Sequence, residues 1–120
     1  MKKTSTGVII IGVVVVVAIV FGLVRWWQNS SEKYNQFAEC ISLKNAEIAG
    51  VDWCPHCQEQ KKMFGDSFKY VIYNNCDLMK AWCDEHDVKQ YPTWFINNKR
   101  QSPGVKSMEE LSRLTGCPLP

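Results

Sequence analysis

No charge interrupts the eighteen residues Gly7–Val24, GVIIIGVVVVVAIVFGLV. As a helix this run spans roughly 27 Å, close to the hydrocarbon thickness of a bilayer. Lys2 and Lys3 precede it, and Arg25, Trp26 and Trp27 close it with the cation and aromatics of a membrane interface. A cleaved signal peptide would have an apolar core of about 7 to 15 residues and a small-x-small site after it. This run is longer and meets bulky RWWQ instead. A buried strand fits worse, because such strands run about 4 to 8 residues. The expectation is an uncleaved anchor over residues 7–25, after a cytoplasmic tail over 1–6 and before a linker over 26–33. Lys2 and Lys3, set against Arg25 and the more distant Lys33, favour a cytoplasmic N-terminus and an exported domain over 34–120.

Three of the fourteen basic residues lie at the anchor, so from Trp26 onward eleven bases face twelve acids. No basic stripe is present to attract nucleic acid. All six cysteines, Cys40, Cys54, Cys57, Cys76, Cys83 and Cys117, follow the anchor. That density suits an oxidising compartment, where disulfides stabilise a small core.

Periodicity places a helix from Ser30–Glu32 to about Lys44, with Tyr34, Phe37, Ala38 and Ile41 as its apolar stripe. Ala46–Trp53 reads as a strand running into a cysteine pair. Pro55 suits the first helical position, and the helix it opens is interrupted at Gly65–Asp66. Phe68–Asn75 is aromatic and β-branched, hence a strand. Leu78–Val88 reads as a short helix, and PTWFINNKRQ as two strands joined at Asn97–Asn98. Ser107 and Glu110 cap a last helix striped by Met108, Leu111 and Leu114 and stopped by Gly116 and Pro118. The order α-β-α-β-α-β-β-α builds one sheet covered by helices, an α/β class.

WCPHC at the end of a strand and the start of a helix carries the chemistry. Unpaired N–H groups and the helix dipole stabilise an anion there, and the thiolate is the reactive form of cysteine. Cys54 is thus the candidate nucleophile and Cys57, one turn on, the resolving thiol, with Pro55 starting the helix. His56 can hydrogen-bond or carry charge beside Cys54, lowering its pKa further; an exposed helix-start residue without a role is the plainer alternative. A stable leaving thiolate favours the reduced pair and makes it an oxidant of other thiols. Tyr91, Pro92 and Thr93 of YPTW form the candidate substrate-binding loop, since a cis X-Pro bond leaves neighbouring backbone groups free to pair with a docking peptide. Trp53, beside the nucleophile, is the aromatic expected to contact partners. Tyr70, Tyr73, Trp94 and Phe95 read as sheet core, and His86 as part of a solvated helix face.

WCPHC and YPTW in this element order resemble a thioredoxin-fold protein, and the central Pro-His resembles that of DsbA-type oxidases. The chain is most similar to the thioredoxin-like domain fused to bacterial homologues of vitamin K epoxide reductase, in FAECISLKNAEIAGVDWCPHCQEQKKMFGDSFKYV, YPTWFINNKR and GVKSMEELSRLTGC. The resemblance covers about Tyr34 to Cys117. It implies a thioredoxin-like fold with a central mixed sheet, attack by Cys54, resolution by Cys57, and a proline loop at Pro92 against them. Thioredoxin keeps a buried acid six residues before its nucleophile, where this chain has Ile48, which disfavours reductase-like proton handling. With one anchor helix here, the membrane enzyme is expected as a separate partner.

With Cys54 and Cys57 set aside, four cysteines admit three pairings. Cys76 at a strand end and Cys83 on the next helix suit a short bridge, leaving Cys40 and Cys117 to tie the first helix to the last as structural disulfides. Alternatively Cys76–Cys83 is a second redox pair that relays electrons. The functional expectation is a membrane-anchored, extracytoplasmic (periplasmic) thiol:disulfide oxidoreductase without cofactor. It oxidises client proteins with free thiols and is recycled by a vitamin K epoxide reductase-like or DsbB-like membrane enzyme. A reductase or isomerase of the same compartment stands beside it. So do a Cys54/His56/Cys57 metal module, which lacks the second ligand cluster zinc requires, and a non-catalytic adaptor.

Overall fold

The structure is a computed structural model that describes residues 3–120. Met1 and Lys2 of the expected tail lie outside the described residues, as do the side chains of residues 3–4 and 28–31. The chain divides into two compact units, Met1–Ser31 and Glu32–Pro120.

The first unit is a single helix, α1 (Lys3–Ser31). Within it the 23 residues Ser5–Trp27 are long and apolar enough to cross a membrane. A membrane span and a signal sequence both meet that description. The expected linker over 26–33 is mostly helix, because no glycine or proline stops α1 before Ser31. Ser30 and Ser31, expected to open the next helix, instead end this one.

In the second unit α2 (Asn35–Leu43) buries Phe37, Ala38 and Ile41, three positions on one helical face. β1 (Ala46–Gly50) leads through a tight turn into α3 (Pro55–Phe64). Gly65 closes α3 with a positive φ of 57°, a conformation that glycine adopts at no steric cost. The chain then winds through a 3-10 segment, Gly65–Tyr70, before β2 (Ile72–Asn75). Phe68–Val71 therefore does not belong to the strand as the β-branched pattern implied. Tertiary contacts overrode propensity here: Ser67 is buried and donates to Asn35 Oδ1 at 2.8 Å, and Phe68 packs edge-on against both Phe64 and Tyr73.

α4 (Lys80–Glu85) is shorter than the expected Leu78–Val88 helix. An Asn75 side-chain turn, Asp77 N–H to Oδ1 at 3.0 Å, precedes it, and Asp87 at φ 49° ends it. β3 (Thr93–Ile96) and β4 (Lys99–Arg100) form a hairpin through Asn97 and Asn98, both at positive φ. α5 (Met108–Thr115) starts on Ser107, whose Oγ accepts from the Glu110 N–H, and stops at Gly116 with φ 75°. Only half of the expected capping box forms, since the Glu110 carboxylate pairs with Lys106 Nζ at 3.0 Å.

The sheet order is β2-β1-β3-β4, with β1 and β2 parallel and the other pairs antiparallel. A parallel β-α-β half thus joins an antiparallel hairpin, giving a thioredoxin-like α/β fold with a mixed sheet. Both sheet faces are covered, so all of β3 is buried. Trp94 and Ile96 enter one core with Phe37, Ile41, Ile48, Phe64 and Leu111, while Phe95 enters a second with Val51, Cys54, Cys57, Cys76 and Cys83. Gln60, fully buried on α3, accepts from the Trp94 indole at 3.1 Å and from Lys106 N–H at 2.7 Å, and donates to Lys106 O at 3.0 Å. These bonds fix α3, and the cysteine pair at its head, against β3 and the approach to α5.

Candidate active site

The turn from β1 into α3 delivers Cys54 to the N-cap of α3 with Pro55 at the first helical position. No side chain caps this helix, so its leading N–H groups are free to face the Cys54 sulfur. Both Cys54 and Cys57 are thiols, 7% and 1% exposed respectively. Burial works against a Cys54 thiolate, but the N–H groups of Cys57 and His56 and the Cys57 thiol outweigh it and hold its pKa below the ordinary thiol value. Burial pushes Cys57 up to about 11, with the adjacent Cys54 adding to the rise; a backbone hydrogen bond at Val51 and, less strongly, the Lys61 ammonium oppose it. The N-cap sulfur is thus the more acidic of the two and its buried partner the less acidic.

His56 contributes to Cys54 through its backbone N–H. Its ring is exposed and directed at Glu59, Nδ1 to Oε2 3.5 Å, and so differs from the sequence-based picture of an imidazole beside the thiolate.

The YPTW loop faces the pair. Tyr91–Pro92 is cis, Pro92 and Thr93 are buried, and Tyr91 O lies 3.9 Å from Cys54 Sγ. Thr93 Oγ1 donates to Gln90 O at 2.6 Å, and the Gly104 N–H donates to Pro92 O at 2.8 Å, so Thr93 braces the loop from below. Trp53 is 68% exposed, packs edge-on against Tyr91, and donates its indole N–H to Asp77 Oδ2 at 3.0 Å. Its ring is therefore a fixed platform beside Cys54 rather than a loose side chain.

Cys76–Cys83 and Cys40–Cys117 are disulfides. The first is buried in the core that holds the reactive pair; the second joins α2 to the segment after α5. His86 is half-buried, stacked on Trp82 with ring centroids 3.9 Å apart and Nδ1 2.8 Å from Trp82 O, not on a solvated face. Tyr70 is 37% exposed and sits in the 3-10 segment, outside the sheet core expected for it. Among the described residues no group of three or more His, Cys, Asp or Glu side chains is placed to hold a metal ion.

Around the pair, Gly50, Asp52 and Lys61 carry no motif in the sequence, and Tyr73, expected as sheet core, joins them. Gly50 ends β1 where a Cβ would lie 2.8 Å from Cys57 Sγ and 3.2 Å from Tyr73 Cε2. A glycine ending a strand just before the reactive turn is the available signal for such a close approach. Asp52 accepts from Lys61 Nζ at 2.6 Å, Tyr73 OH at 3.1 Å and Asn75 Nδ2 at 3.0 Å. The Lys61 ammonium hydrogen-bonded to it holds the Asp52 carboxyl below the usual carboxylate value. Burial and then the Asp52 charge hold the Tyr73 phenol well above its ordinary value. Asp52, Lys61 and Tyr73 come from three elements, so no local spacing announces them.

No protein-family model matches the chain. It is 37% identical over 102 residues to the thiol-disulfide oxidoreductase LTO1 of Arabidopsis thaliana, a match covering 76% of this chain and 27% of that protein. The chain thus spans about a quarter of the length of this curated relative. Among solved structures it is similar to the oxidised thioredoxin of Plasmodium falciparum, at 18% identity over 67% of this chain and 86% of that one, with a TM-score of 0.43. It is also similar to thioredoxin NaTrxh of Nicotiana alata, at 20% identity over 74% and 80%, with a TM-score of 0.44.

Proposed function

We propose that this chain is a membrane-anchored thiol:disulfide oxidoreductase that works outside the cytoplasm and oxidises client thiols through a Cys54–Cys57 disulfide. The observation that carries the proposal is the pairing of an N-cap Cys54, held toward the thiolate, with a buried Cys57 under the Tyr91–Pro92 loop. The similarity to a thiol-disulfide oxidoreductase supports it.

In the cycle a client thiolate attacks Cys54 Sγ, a client–Cys54 disulfide forms, and the Cys54–Cys57 bond breaks with its electron pair on Cys57. A second client thiolate then attacks the client sulfur of that mixed disulfide and releases Cys54 as a thiolate. The client leaves oxidised and the pair leaves reduced. A separate quinone-linked membrane enzyme of the vitamin K epoxide reductase or DsbB kind takes the two electrons and restores the disulfide.

Oxidation is favoured over reduction because the thiolate form of Cys54 stabilises the reduced pair and is a good leaving group. Ile48, buried at the position where thioredoxin keeps an acid, agrees with this direction. α1 supplies the anchor, with its N-terminus cytoplasmic. Cys40–Cys117 and Cys76–Cys83 are structural, Trp53 and Tyr91 form the client-docking rim, and the buried Pro92 and Thr93 set the backbone beneath it. Equilibration against glutathione buffers tests the direction. An oxidase pair stays reduced until the buffer is strongly oxidising; a pair that stays oxidised in reducing buffer makes the chain a reductase.

A further inference from the structure

We propose that Lys61, held in place by Asp52 and Tyr73, is the charge that steadies the Cys57 sulfur as it leaves the disulfide. The inference deepens the oxidoreductase reading and rests on it.

When a client thiolate attacks Cys54, the new client–Cys54 bond forms as the Cys54–Cys57 bond breaks, and Cys57 takes the electron pair. The anion forms at a site only 1% exposed, where water solvates it poorly. It becomes a neutral thiol once a proton arrives from solvent; until then, protein groups must stabilise it. The groups around it are few. Val51 offers a backbone hydrogen bond, Gly50 its bare Cα, Cys54 caps α3, and the Cys76–Cys83 disulfide and Phe95 share the same apolar core. The ionisable groups are Cys54, Lys61 on α3, Tyr73 on β2 and, beyond them, Asp52 and Asp77.

Of these only Lys61 is a cation. It lies four residues after Cys57, on the same face of α3. Its ammonium sits 4.0 Å from the Tyr73 ring centroid, and the edge of that ring and the Cys57 sulfur flank the same bare Cα of Gly50. The Tyr73 ring thus neighbours both the cation and the sulfur. A surface lysine would ordinarily carry its ammonium out into water. Lys61 does not, since Asp52 grips it at 2.6 Å and is itself fixed by Tyr73 OH and Asn75 Nδ2. Asp52 and Tyr73 are positioning residues: they act on the sulfur through Lys61.

The test uses the full chain in detergent micelles with Lys61→Met, Lys61→Gln and Lys61→Arg. The first readout is the rate at which glutathione opens the Cys54–Cys57 disulfide, beside the glutathione equilibrium at pH 7. Losing the cation raises the leaving-group pKa. With a Brønsted coefficient near 0.5, opening in the Met and Gln variants slows about twofold. The equilibrium at pH 7 stays in place, because Cys57 is protonated there in every reduced variant, and Lys61→Arg restores the rate. A general structural disturbance would shift rate and equilibrium together. The second readout, in a Cys54→Ser background, is alkylation of Cys57 below its pKa, which slows about twofold in Lys61→Met and Lys61→Gln but not in Lys61→Arg.

Equal rates in the Met, Gln and parent chains overturn the proposal, as does a Lys61→Arg chain that behaves like Lys61→Met. Alkylation needs no client and no turnover. A chain that exchanges with no client therefore fails the oxidoreductase reading while the Lys61 comparison still stands or falls separately.

Discussion

Replacing Gly50 by alanine puts a methyl group where the structure has room only for sulfur. The added Cβ would sit 2.8 Å from Cys57 Sγ, 3.2 Å from Tyr73 Cε2 and 3.6 Å from Cys57 Cβ. The first distance is below any stable contact, and the sulfur is tied to a helix locked by Gln60, so it cannot simply swing away. Overpacking of this kind costs about 1–3 kcal/mol. Deleting the sulfur removes the clash and leaves an ordinary 3.6 Å contact plus the Tyr73 ring edge, which can give. Gly50→Ala and Cys57→Ala should therefore be less than additive by about 1 kcal/mol or more. The assay is urea unfolding followed by tryptophan fluorescence, for the four combinations in a Cys54→Ser background that prevents disulfide formation at the pair. A Gly50→Ala cost that is the same with and without the Cys57 sulfur would refute the reasoning.

Loop-closure entropy separates the two structural bridges. Losing Cys40–Cys117, with a sequence separation of 77, should cost about 4.5 kcal/mol, and losing Cys76–Cys83, with a separation of 7, about 2.4 kcal/mol; paired Cys→Ala unfolding curves measure the difference. A reversed order would count against the chain-entropy account. For the reduced chain, Cys54 has a lowered folded pKa, so its contribution to stability is present above the unfolded thiol value of about 8.5 and is lost as pH falls through the folded value. Cys57 has a raised one, so its contribution is complete below about 8.5 and is lost as pH rises toward 11. Urea midpoints of the reduced chain should decline across that alkaline window, and Cys57→Ala should flatten the decline.

Local chemistry made some parts of this fold readable and hid others. The β3–β4 hairpin was legible because two asparagines in sequence tolerate the positive φ its turn requires, and α5 because Ser107 and Gly116 mark its ends. The start of α3 was legible from Pro55. Phe68–Val71 was misread because their strand propensity was overridden by the burial of Ser67 and the packing of Phe68 on Phe64 and Tyr73, contacts made across the fold. The 26–33 segment, expected as a linker, is helical as far as Ser31 because it carries no helix breaker.

In the site, Cys54 and Cys57 stand at a short, recognisable spacing, and Pro92 lies 35 residues on in its own YPTW segment. Asp52, Lys61 and Tyr73 meet only once β2 lies parallel to β1 and α3 packs beside them, so their partnership is a property of the sheet order. His56 shows the converse case. Its place in WCPHC pointed to its imidazole, whereas the folded turn gives Cys54 the backbone N–H and sends the ring toward Glu59.

The central claim is that Cys54 exchanges disulfides with protein thiols and Cys57 resolves them. The most direct measurement expresses Cys57→Ala and Cys54→Ala in the native host, quenches thiols with acid, and separates membrane proteins with and without reductant. The account predicts reductant-sensitive adducts on Cys57→Ala, bonded through Cys54, and none on Cys54→Ala. Adducts on neither variant, or equally on both, would contradict it.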